Sequence, residues 1–113
     1  QALKHRMAEM LVAVETSRSA ALDATLAVAA ALADSRDDLA EETVEDLVRR
    51  TCVAKAWCTE ALADVAAETV QLHGGIAITW EHDIQLYFKR AHASAQLLGP
   101  PQEHLRRLES EVF

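Results

Sequence analysis

An all-α fold is the class this sequence predicts, and three observations carry it. Apolar residues recur in alternating steps of three and four along two long stretches. No stretch shows the period-2 alternation of a strand. The chain-breaking residues are few, three glycines and two prolines, and they fall at segment ends. At 113 residues, the chain is read as one helical domain over 1–113, an up-and-down four-helix bundle.

The first helix is marked by Leu3, Met7, Met10, Val14, Ser17, Ala21, Ala24, Val28 and Ala31. This heptad-type seam predicts a helix of about 30 residues, and its small second half lets a neighbour approach closely. The stretch from Asp34 to Asp46 is sharply acidic and reads as a solvated turn. Within it, Thr43 is the expected N-cap of the next helix, with Glu45 and Asp46 in the positive first turn. A second seam runs through Val44, Leu47, Thr51, Ala54, Cys58, Leu62, Val65, Thr69 and Leu72, with Trp57 packing beside it. It ends at Gly74-Gly75. Thr79 to Asp83 offers caps for a third helix, whose apolar side carries Ile84, Tyr87, Phe88, Ala91, Ala95 and Leu98. Gly99-Pro100-Pro101 stops that helix, and a short fourth helix follows with Leu105, Leu108 and Val112 inward.

Composition narrows the function classes. Half the residues are hydrophobic but only 4% are aromatic, and much of the apolar half is alanine, so the core is expected to need a neighbour. A net charge of −7 and a pI near 5.1 argue against nucleic acid as a partner, because phosphate neutralisation needs clustered cations. No apolar run approaches the roughly 20 residues of a membrane span. No signal peptide is visible, and the expected location is cytoplasmic, with Cys52 and Cys58 as structural thiols rather than a disulfide or zinc site. Gln1 is not a methionine and the amphipathic pattern is already running at Leu3, so the chain reads as part of something longer.

The five histidines, at 5, 73, 82, 92 and 104, lie too far apart for helical metal pairs. No glutamate precedes a histidine by three residues, HExxH is absent, and no metal site is expected. No Ser–His–acid set assembles. Gly74-Gly75 is neither GxGxxG nor a P-loop. Each glycine costs roughly 1 kcal/mol inside a helix, so the pair reads as a stop that bares backbone where a phosphate or flat ligand can approach. Spacing alone leaves a plain interhelical turn as the alternative.

The turn and its flanks, Gln71-Leu72-His73-Gly74-Gly75-Ile76, then Thr79-Trp80-Glu81-His82-Asp83, then Tyr87-Phe88-Lys89-Arg90-Ala91, resemble the C-terminal domain of acyl-CoA dehydrogenases. The opening Gln1-Ala2-Leu3-Lys4-His5-Arg6-Met7-Ala8-Glu9-Met10 is similar to the helix that begins that domain. The likeness spans residues 1 to about 98. It implies α,β-dehydrogenation of an acyl-CoA thioester with FAD, in an oligomer where one subunit's FAD is completed by this domain of its neighbour. It also implies an electron-acceptor flavoprotein. The family's Gln-x-x-Gly-Gly turn, which lies on the ADP part of FAD, falls on Gln71, Leu72, His73, Gly74 and Gly75. Gln1 matches a glutamine that also faces FAD; read by itself it is a chain-terminal residue. Glu81 matches a turn residue, expected to cap the third helix or pair with Lys89 or Arg90. His82 and His92 are expected as capping or polar-face residues, and His73 as a cofactor contact or a turn residue.

Three departures qualify the likeness. The family's catalytic base position falls on Leu98, which cannot take a proton. The base then comes from an earlier helix, from a partner subunit, or is absent. Pro100-Pro101-Gln102 stands where the family has Thr-Ser-Gln. Ala77 replaces a family glycine, and if that backbone needs positive φ the alanine costs about 1 kcal/mol. The domains that hold flavin ring and acyl chain are not in this sequence, so no complete enzyme is expected from it.

Overall fold

A computed structural model describes residues 1–34 and 39–112 of the chain. It is all-α: α1 Ala2–Asp34, α2 Glu41–His73, a 3-10 turn Gly74–Ile78, α3 Ile84–Gln96 and α4 Pro101–Val112. At about 1.5 Å per residue, the 33-residue helices α1 and α2 account for the long axis of 54 Å.

The two long helices form an antiparallel hairpin. Residue numbers rise along one as they fall along the other: Arg6 meets Glu68, Trp57 Nε1 donates to Thr16 Oγ1 at 3.1 Å, Cys58 Sγ to Ser17 O at 3.3 Å, and Arg50 Nη1 to Asp23. The seam on α1 is Met10, Ala13, Ser17, Ala20, Ala24, Ala27 and Ala31. Met10, Ser17, Ala24 and Ala31 are seam residues as expected and Val28 is half-buried, whereas Leu3, Met7, Val14 and Ala21 face outward and Ala13, Ala20 and Ala27 join the seam instead. Small side chains won the interface because they allow closer backbone approach than the larger apolar ones beside them.

α2 carries a second seam that the expected register did not include. Cys52, Ala56, Thr59 and Ala66 are buried, with Ala63 and Val70 half-buried on the same stripe. The first stripe faces α1, and the second belongs to the side taken by α3 and α4, where Lys55 Nζ donates to Ser94 O at 3.2 Å. Every extensive helix–helix contact is with α2. The all-α expectation holds, and a shared four-helix core is not shown among the described residues: α2 is a central rod flanked on two sides.

Several caps also differ. Ala40, not Thr43, precedes α2, and no side chain caps it; Glu41 and Glu42 occupy the first turn instead, where their charge opposes the helix dipole. Pro101 opens α4, at the one helical position where a missing N–H is harmless. On α3, Ala91 is buried as expected, but Tyr87 and Leu98 are exposed, and Leu98 lies beyond the helix end. Trp57 is half exposed rather than packed. Of the acidic run, 35–38 lies outside the described residues, as does the side chain of Val112.

The shape is open. The radius of gyration is 17.4 Å, against about 13 Å for a compact chain of this length. The accessible surface of 8538 Å² exceeds the roughly 6,100 Å² typical of a monomer this size. Large apolar side chains contribute to it: Leu3, Met7, Leu11, Val14, Leu22 and Leu26 stand exposed along α1. The alanine-lined seams bury too little by themselves, as composition predicted. No helix is long and apolar enough to cross a membrane among the described residues.

Candidate functional site

The hairpin brings the first and last of the candidate residues to one end. α1 begins there with Gln1, whose carbonyl accepts from His5 N at 3.2 Å, and α2 finishes there with Gln71, Leu72 and His73. Arg6 Nη1, 2.9 Å from Glu68 Oε1, ties the two helix ends together. Gln71 is exposed and lines an open groove of about 720 Å³ with Arg6, Glu9, Met10 and Glu68.

The α2 stop is built by Gly74. Its φ of 64° lies in the left-handed region that glycine occupies without strain, and its N–H returns to Gln71 O. Gly75 keeps an ordinary φ. A side chain placed at either glycine would meet nothing of this chain within 4 Å. Their bareness therefore serves no packing inside the molecule; it leaves backbone open to whatever lies outside. Leu72 is half-buried, whereas Gln71, His73, Gly74 and Gly75 are exposed.

The flanking segment pins the turn. Gln85 Nε2 donates to Ala77 O at 3.1 Å and to Thr79 O at 3.3 Å, and Thr79 Oγ1 donates to Ile76 O at 2.8 Å. Ala77 is 1% exposed and has no positive φ. The expected strain at this position is thus absent: the alanine methyl is a core group beneath the turn. His73 Nδ1 donates to Thr69 O at 2.8 Å, and its ring meets that of His82 edge-on. His82 Nδ1 accepts from Ile84 N at 3.2 Å, so His82 caps α3, as one of its two expected roles required. Glu81 does neither of the things expected of it: it makes no ion pair with Lys89 or Arg90 and no cap. Lys89 lies instead over the ring of Trp80, 5.9 Å from its centroid. His92 is the polar-face residue expected, donating to Phe88 O at 3.0 Å.

Leu98 stands apart from this end, in the α3–α4 turn. It is 91% exposed, with φ 60°, and its carbonyl accepts from Nε2 of the buried His104 at 2.9 Å. No metal-holding cluster exists among the described residues. Arg50 is held above its ordinary pKa by hydrogen bonds to the carboxylates of Asp46 and then Asp23; it belongs to the hairpin, not the turn. Arg6, Glu68 and Gln85, which fix the site's geometry, gave no sequence signal, because their partners are distant in sequence or are backbone carbonyls.

Comparisons with known proteins converge. The family described as acyl-CoA dehydrogenase, C-terminal domain, matches residues 1–112. The acyl-CoA dehydrogenase IpdE2 of Mycolicibacterium smegmatis is 51% identical over 113 residues, 100% of this chain and 30% of its own length. IpdE2 of Mycobacterium tuberculosis is 50% identical over the same shares. Acyl-CoA dehydrogenase FadE34 of Mycobacterium tuberculosis is 38% identical over 108 residues, 96% of this chain and 14% of its own. The chain thus spans under a third of the length of these relatives. No solved structure matches. By its helical fold, its turn and these matches, the chain belongs to the acyl-CoA dehydrogenase family, as the C-terminal domain.

Proposed function

We propose that this chain is the FAD-contacting and subunit-contacting domain of an acyl-CoA dehydrogenase, using Gln1 and the Gln71–Gly75 turn to hold FAD. The observation that carries the reading is the turn itself: an exposed amide followed by two glycines whose open sides face away from the chain. Such a surface fits a dinucleotide, since the Gln71 amide both donates and accepts and bare backbone lets a ligand approach closely. When bound, FAD supplies the hydride acceptor for the β-carbon of an acyl-CoA thioester. The residues of this chain bind and orient; the family's base position falls on Leu98, which cannot take the α-proton. The apolar outer face of α1 suits a neighbouring subunit or domain, and the electrons then pass to an acceptor flavoprotein in the cytoplasm.

The test is flavin content of the full-length protein carrying Gln71→Ala or Gly75→Val. Both variants are expected to lose FAD on gel filtration while wild type keeps it. Full retention in both overturns the reading.

Leu98 favours a second reading, a non-catalytic helical subunit of a heteromeric dehydrogenase. Purified full-length protein assayed with acyl-CoA and an electron acceptor separates the two, because turnover by the protein alone excludes it.

A further inference from the structure

α3 has two apolar faces, and only one is used inside the molecule. Ala91 is buried, with Ile84, Phe88 and Ala95 half-buried on the same side, the side packed on α2. On the opposite side Leu86, Arg90 and Ala93 follow in steps of four and three, and Leu97 ends the row; all four are exposed. A ridge at this spacing is the shape that fits a groove between two other helices. Its charge is set apart from the rest of the chain. No acidic residue occurs from Ile84 to Gln102, the longest acid-free stretch in a sequence of net charge −7, and Lys89 and Arg90 lie within it. Both are exposed, and neither forms an ion pair among the described residues.

The complement lies between α1 and α2. The groove beside Gln71 is lined by Met10, Ala13 and Val65, all half-buried, and by the exposed carboxylates of Glu9 and Asp64, one from each helix. Neither carboxylate forms an ion pair among the described residues. Within one molecule the ridge points away from α2, so it cannot enter a groove that α2 itself forms. We propose that the α3 ridge of one copy docks into the α1–α2 groove of a second copy, a contact that rests on the subunit-contacting role read above and gives it a surface. Leu86 and Ala93 cover the Met10, Ala13 and Val65 floor, and Lys89 and Arg90 meet Glu9 and Asp64. The acid-rich remainder of the chain selects this occupant. A nucleic acid or an anionic membrane would meet the acids outside α3 over a much larger footprint, whereas two carboxylates in a groove answer two cations on a ridge.

Sedimentation equilibrium of the full-length protein tests the pairing by charge reversal. Lys89→Glu with Arg90→Glu makes ridge and groove both acidic; Glu9→Lys with Asp64→Lys makes both basic. Each variant alone is expected to raise the dissociation constant for self-association at least about tenfold, because like charges are brought together. Mixed in equal amounts, the two variants are complementary at both surfaces, and association is expected to return to within about threefold of wild type. That recovery is a readout that damage to the fold would not produce. Wild-type association is also expected to weaken as salt rises. Undiminished self-association in either reversed variant overturns the proposal and moves the interface to another face. Dissociation of both without recovery on mixing overturns it too. A wild-type protein that stays monomeric overturns it together with the subunit-contacting role, while flavin retention in Gln71→Ala and Gly75→Val judges the cofactor reading separately.

Discussion

Arg6 Nη1 lies 2.9 Å from Glu68 Oε1, close in distance yet not aligned as a hydrogen bond, and no other group bonds that buried oxygen. The pair joins the start of α1 to the end of α2, and so sets how Gln1 stands to Gln71.

Both side chains are partly exposed, so the pair is screened, but Glu68 Oε1 has no alternative partner. Arg6→Ala is expected to lower unfolding free energy by about 0.5–1 kcal/mol, the upper end for a partly exposed, screened pair. Urea denaturation measures it. The swapped pair Arg6→Glu with Glu68→Arg should regain at least half the loss; no recovery would show that the two residues act independently.

Arg50 bridges the hairpin's other end, donating to Asp46 Oδ2 at 2.7 Å and to both Asp23 oxygens at 2.7 and 2.9 Å. The planar guanidinium reaches the two carboxylates from separate nitrogens, Nε and Nη1, a fixed fork that the single ammonium of a lysine lacks. Arg50→Lys is expected to lower the thermal midpoint at low salt, and the deficit should shrink above roughly 0.5 M salt as screening shortens to a few ångströms. A salt-independent deficit would assign the loss to packing.

Leu98 and Gly99 are consecutive left-handed residues, at φ 60° and 94°. Substitutions there should have opposite signs. Leu98→Gly relieves a backbone that a side chain disfavours, a gain of about 1 kcal/mol. Gly99→Ala adds strain of about 1–2 kcal/mol; the Glu103 carboxylate that its Cβ would meet at 2.9 Å can swing aside. Equal signs in a denaturation series would contradict the left-handed turn.

Ala77→Gly tests the buried methyl. If alanine were strained, glycine would stabilise; because Ala77 is buried at ordinary φ, glycine is expected to cost about 1 kcal/mol. Thermal melts of the two proteins decide the sign.

Much of this is legible in the sequence. Two long periodic stretches gave α1 and α2, and Gly74 ended α2 where a glycine pair should. What was not legible has a common cause. A periodic stripe names one face of a helix, and α2 uses two: the Cys52–Ala56–Thr59 stripe is made of small residues that no hydropathy pattern marks. For the same reason Val14 and Ala21 looked like seam residues when Ala13 and Ala20 were. At the site, Gln71, Gly74 and Gly75 were readable as types, whereas the Gln85 bonds to Ala77 and Thr79 depend on backbone carbonyls, which every residue has.

The central rod has a consequence for how the molecule opens. Lifting α1 away breaks a single seam and leaves α2 against α3 and α4; lifting α2 breaks every extensive contact. Amide hydrogens on α1 can therefore exchange through a partial opening, whereas those in the middle of α2 wait for the whole fold to come apart. The Gln71–Gly75 turn is attached to the helix that opens last.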